Sequence, residues 1–135
     1  MDTYEIRSEE DVIRARQAAR KYAEELHFSI LDKTRIATSV SELARNTLVH
    51  GGGGHMEMQR LENKGAVGIR CTFIDQGSGI ADITRALDDG VMTGHGPGEG
   101  LPGVKRLMDD FKITSTIGKG TRVEIIKWKL SLIHI

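Results

Sequence analysis

The stretch TGHGPGEGLPGVKRLMDDF, residues 93–111, decides how this chain is read. Glycine takes every second position from Gly94 to Gly100. Leu101, Val104, Leu107, Met108 and Phe111 then recur at helical spacing, which predicts a helix over about 101–111 with Pro102 tolerated in its first turn. Successive glycines can form a concave nest of backbone N–H donors, and a helix N-terminus carries the positive end of the helix dipole. A phosphate suits such a junction, with the glycine run closing over it as a lid. The competing reading is a surface loop with no ligand. No G-x-x-x-x-G-K-[ST] is present, so the stretch is not a Walker A loop.

Two other stretches fit the same chemistry. In SELARNTLVHG (41–51), Glu42, Asn46 and His50 are four residues apart and share one flank of a helix expected over about 31–50. Asn46 offers a neutral oxygen to a hard cation such as Mg²⁺, which keeps several waters and takes phosphate oxygens as well. Glu42, one turn away, is placed to orient or deprotonate a hydroxyl. On its own, E-x-x-x-N is equally a polar helix edge. In FIDQGSGI (73–80), an apolar strand ends at Asp75, followed by Gly77 and Gly79. A carboxylate there needs donors, an adenine amino group is one, and the glycines permit close approach of a base. An ordinary Asp-Gly turn is the alternative.

Around these stretches the periodicity gives a strand at 3–7 and a helix at 9–26, with Ser8 as N-cap and Glu9, Glu10 and Asp11 in its first turn. Val12, Ala15, Ala19, Tyr22 and Leu26 form its apolar face. The helix at 31–50 buries Ile36, Val40, Leu43, Ala44 and Thr47, and GGGG (51–54) stops it. A strand at 55–61, a turn at 62–65 and the alternation of Val67, Ile69, Cys71 and Phe73 predict a strand pair. A short helix is expected at 82–90. Strands at 113–117 and 121–130 flank the tight turn GKG (118–120). Adjacent strand pairs imply an α+β fold, a two-layer sandwich with a mostly antiparallel, mixed sheet and helices on one face. A doubly wound dinucleotide fold would alternate strand and helix more regularly.

The 135 residues suit one domain, 1–135. Nineteen basic and nineteen acidic residues balance, so composition indicates no nucleic-acid surface. No apolar run reaches membrane-spanning length, and MDTYEIRSEED lacks the features of a signal peptide. The single cysteine, Cys71, excludes an intrachain disulfide and fits a reducing cytoplasm.

The order of an acid-Asn helix, D-x-G-x-G, G-x-G-x-G-L opening a helix, and GKGT entering a strand resembles the GHKL ATP-binding fold. VSELARN and GLPGVKRLMDDF are similar to its anti-sigma-factor kinase branch, the small serine/threonine kinases of bacterial stress signalling, over about residues 3–128. The resemblance implies ATP and Mg²⁺, with Asn46 on the metal and Glu42 as the catalytic carboxylate. Asp75 would accept from the adenine amino group beside Gly77 and Gly79. Gly96, Gly98, Gly100 and Leu101 would wrap the phosphates, and Thr121 would lie near the adenine. It also implies partners: a STAS-domain antagonist as substrate, a stressosome scaffold, and a downstream phosphatase activated by contact. A non-catalytic binding module or an anti-sigma factor is the alternative. Ser78 stands where the family often has proline, and His95 and Glu99 add charged groups to the lid. No lid arginine is evident, and Lys105 is a weak candidate for its role.

His50 and His55 make a poor zinc site, since two histidines on a glycine loop lack further ligands. Cys71, Met56 and Met58 fall on core phases. Lys127 and Lys129 are expected at a solvated sheet edge, and Trp128 is open between core and interface. The closing SLIHI reads as a short extension.

Overall fold

The computed structural model describes residues 1–77 and 100–129. The elements are β1 (Asp2–Ile6), α1 (Glu9–Glu25), α2 (Ile30–Val49), β2 (Gly54–Asn63), β3 (Ala66–Asp75), α3 (Gly100–Leu107), β4 (Asp110–Thr116) and β5 (Gly120–Trp128). The helix expected at 82–90, Ser78, Gly79, His95, Gly96, Gly98 and Glu99, and the stretch 130–135 lie outside the described residues.

Both long helices begin as the sequence dictates. The Ser8 hydroxyl accepts from Asp11 N at 3.2 Å, and the Ser29 hydroxyl accepts from Asp32 N at 3.1 Å. Val12, Ala15, Ala19 and Ala23 line the buried stripe of α1; their small side chains let it lie close against α2. The α2 stripe contains Ile36, Val40, Leu43, Ala44 and Thr47, as its periodicity requires.

Five strands form one sheet in the order β1-β2-β3-β5-β4, and every neighbouring pair is antiparallel. The mixed component expected from the sequence is absent among these strands. Asn63 pairs with Ala66, so the turn expected at 62–65 contracts to Lys64 and Gly65. Inward residues Ile6, Met56, Met58, Ile69, Cys71, Phe73, Val123 and Ile125 join the helical stripes in one core. Burial pushes the Cys71 thiol up to about 12. The other face carries polar pairs: His55 with Glu57 at 3.4 Å and Arg70 with Glu124 at 3.3 Å, Arg70 also donating to Gln59.

Three expectations change. The helix expected to reach residue 111 ends at Leu107, because Asp109 N donates to Ile126 O and Phe111 pairs with Ile125 in β4. Met108 and Phe111 satisfy a helical spacing, but Phe111 and Ile113 also satisfy the strand period, and the sheet takes them. Lys127 is not a solvated edge residue: it is 8% exposed and on the inward side of β5. Trp128 settles on the opposite face, against Gly68, with its indole N–H donating to Asp110.

Candidate nucleotide site

Glu42 and Asn46 project from the second half of α2. The Glu42 Oε1 accepts the backbone N–H of Gly100 at 3.0 Å, which ties α2 to the first residue of α3. The carboxylate therefore sits at the positive end of α3. Leu101 and Val104, just inside α3, are buried in the core, so the start of the helix is anchored by packing. One turn along α2, both polar atoms of the Asn46 side chain are buried and make no hydrogen bond among the described residues. An amide left in that state costs about 1–3 kcal/mol. Such groups persist in native proteins where something outside the chain completes them.

Asp75 ends β3 and organises a second cluster. Its Oδ1 accepts from Gly77 N at 2.9 Å and from Thr121 N at 3.3 Å. Its Oδ2 accepts no hydrogen bond among the described residues and is the oxygen left for an outside donor. Thr121 is fixed in turn, its hydroxyl 2.9 Å from that of Ser115. The first residue of β5 needs to be glycine: φ at Gly120 is +100°, and a Cβ there would meet the Asp75 carbonyl oxygen at 2.1 Å.

Gly51 joins the two clusters. Its N–H donates to Asn46 O at 3.2 Å, and a Cβ on it would come within 2.4 Å of Asp75 Cγ. Four glycines in a row read as a helix stop, and one would have sufficed for that. The surplus is the only sequence signal that this turn also packs against Asp75. Gly77 lies close on the same backbone; its Cβ would meet Gly51 O at 2.8 Å. His50 caps α2 through its own N–H and is exposed, and no group of three or more His, Cys, Asp or Glu residues suited to a metal occurs among the described residues. Lys105 is exposed.

The structure thus brings Glu42, Asn46, Gly100 and Leu101 to one corner, and Asp75, Gly77 and Thr121 to the adjoining sheet end. Sequence reasoning missed Gly51 and Ser115, and it expected Lys127 at a solvated sheet edge, whereas β5 lies inside the sheet and Lys127 is buried. A neutral buried amide with few neighbouring ligands fits Mg²⁺, which takes most of its shell from water and phosphate.

The family model described as a histidine kinase-like ATPase domain matches residues 7–127. The serine/threonine-protein kinase RsbT of Bacillus subtilis is 45% identical over 123 residues, covering 91% of this chain and 92% of that one. An anti-sigma F factor of Thermoanaerobacter is 30% identical over 122 residues, with 84% and 82% covered. Among solved structures, the mycobacterial sensor histidine kinase MprB superposes with a TM-score of 0.56 at 14% identity, covering 97% of this chain and 99% of that one. The histidine kinase domain of a blue-light activated kinase from Erythrobacter litoralis gives 0.54 at 20% identity; the match spans 88% of this chain and 59% of that one. These two likenesses concern the fold, whereas the curated relatives match along most of their length. The chain belongs to the histidine kinase-like ATPase family, in its branch of RsbT-type serine/threonine protein kinases.

Proposed function

We propose that this chain is a single ATP-binding kinase domain that transfers the γ-phosphoryl group of ATP to a serine or threonine of a separate protein in the cytoplasm. The observation that carries the site is the orphaned Asn46 amide, one helical turn from a carboxylate bonded to the start of α3.

Asp75 Oδ2 would accept the adenine amino hydrogen, while Oδ1 stays committed to Gly77 and Thr121. Gly77 and Gly79 would leave room for the base. Gly96, Gly98, Gly100 and Leu101 would present backbone N–H groups to the phosphates, and Asn46 Oδ1 would hold Mg²⁺. The ion, when bound, supplies positive charge against the phosphate oxygens. Glu42 would accept the proton of the acceptor hydroxyl as its oxygen attacks phosphorus, ADP leaving on the far side. Phosphoryl transfer asks chiefly for positioning and charge compensation, and these residues supply both.

The relationship to RsbT supports a STAS-domain antagonist as substrate, held in a stressosome scaffold, and a downstream phosphatase activated by the kinase once released. The test is incubation with labelled ATP, Mg²⁺ and a STAS-domain protein. Label on the serine or threonine of that protein is the expected result. Label recovered only as inorganic phosphate would favour a hydrolase. A second reading, a nucleotide-dependent anti-sigma factor acting by contact, draws on the anti-sigma F relatives. Capture of a sigma subunit, rather than a phosphatase, by the nucleotide-loaded protein would favour it.

A further inference from the structure

Lys127 occupies a position where the alternation of β5 calls for an apolar residue. Val123, Ile125 and Lys127 point inward together, and Lys127 is 8% exposed. A wholly apolar layer here, with Lys127 and its carboxylate partners all replaced, would carry no desolvation cost, since a buried ion pair seldom adds stability over hydrophobes of similar volume. The lysine therefore invites an explanation beyond packing.

Its contacts supply one. The ammonium donates to Leu107 O at 3.1 Å and to Asp109 Oδ1 at 3.3 Å, and it lies 3.8 Å from Asp32 Oδ1. Leu107 is the last residue of α3, so the cation closes the negative end of that helix. Asp32 is in the first turn of α2 and is also held by Arg35 at 3.1 Å. Asp109 fixes the strand, its Oδ2 accepting from Trp128 N at 2.6 Å. At the other end of the same helix pair, Glu42 of α2 holds the N–H of Gly100. The two helices thus lie head to tail and are pinned at both ends. Between the pins, α3 spans two turns, about 10 Å at 1.5 Å rise per residue. A rod that short and regular passes a displacement at Leu107 to the N–H groups at Gly100 and Leu101.

We infer that Lys127 is a positioning residue: it sets the height and angle of α3, and so the placement of the amides that face the triphosphate. This rests on the nucleotide reading above. It separates from that reading because the adenine cluster of Asp75, Gly77 and Thr121 is built on β3 and β5, not on α3.

The test compares Mg-ATP and adenosine, each titrated into wild type, Lys127→Met and Lys127→Arg by calorimetry or NMR. Lys127→Met is expected to weaken Mg-ATP by about tenfold or more while adenosine binding is retained, the scale set by how steeply function falls with small misplacements. Lys127→Arg, which keeps the cation, is expected to restore most of the Mg-ATP affinity. A merely structural lysine would lower the folded fraction and reduce both ligands in parallel; that result, or no change in either, overturns the inference. Should Lys127→Met fail to fold, Lys127→Met combined with Asp32→Asn, which also removes the buried charge left behind, carries the same comparison with the same expected outcome. Wild type that binds neither ligand would sink the nucleotide reading instead.

Discussion

The two ends of the α2–α3 pair both bury polar groups, and they treat them in opposite ways. At the Asp32 end, the buried groups have answers within the chain: Lys127 meets Leu107 O, Asp109 and Asp32, and Asp32 meets Arg35. At the Glu42 end, the Asn46 amide has none among the described residues. The first arrangement is what a fold needs in order to hold itself. The second is what the proposed nucleotide site would use to hold a ligand. The contrast separates structure from function more sharply than burial does, since both ends are largely removed from water.

Four substitutions break or sharpen that contrast. Glu42→Ala is expected to lower phosphotransfer by about 10²–10⁴-fold, the usual contribution of a general base, with partner capture retained. Unchanged transfer in a labelled-ATP assay would remove Glu42 from its role. Asn46→Ala is expected to lose Mg²⁺-dependent nucleotide affinity with no fall in Tm, because it deletes an unsatisfied amide rather than a bond. A clear drop in Tm would show that the amide is satisfied after all. Lys127→Met should do the reverse at the closed end. It takes the shared cation from Asp32 and Asp109, which keep Arg35 and the Trp128 N–H, and is expected to cost about 3 kcal/mol in chemical denaturation, at the low end for breaking a buried pair because Asp109 remains partly exposed. Gly51→Ala forces a methyl group into the space beside Asp75 and is expected to cost about 1–3 kcal/mol and to weaken adenosine binding, since Asp75 must give way. Full adenosine affinity in that variant would dissociate Gly51 from the site.

A pH-dependent effect lies in the core. Folding holds the Cys71 thiol protonated past its ordinary value of 9.0, to about 12. The unfolded chain releases that proton first as pH rises, so this contribution is complete below pH 9 and drains away between pH 9 and about 12. Denaturant midpoints for Cys71→Ala and wild type should converge over that interval. Divergence would place the thiol in contact with water.

How much was legible in advance follows from what each signal measures. Helix stripes and strand alternation report which side meets the core, and α1, α2, β2 and β3 came out within a few residues of their expected bounds. The α3–β4 junction did not, because Phe111 fits the helical and the strand period at once and a backbone bond from Asp109 to Ile126 chose between them. Lys127 was misplaced because residue type argued for water while position argued for the core. Glu42, Asn46 and Asp75 were legible only as a set. Each alone is ordinary, and their order along the chain, not the local spacing, carried the candidate site. Gly51 was hidden because contact with Asp75 spans two elements that no local pattern links.

The bond between Glu42 and the Gly100 amide has a kinetic consequence. One N–H cannot serve two oxyanions at full strength. In the proposed site, a phosphate oxygen reaching the start of α3 competes with the carboxylate for that donor and loosens its hold. That exchange re-aims the proton acceptor once the phosphoryl donor has arrived, which favours a compulsory sequence of nucleotide first and protein second. Initial-rate plots and dead-end inhibition would display that order directly.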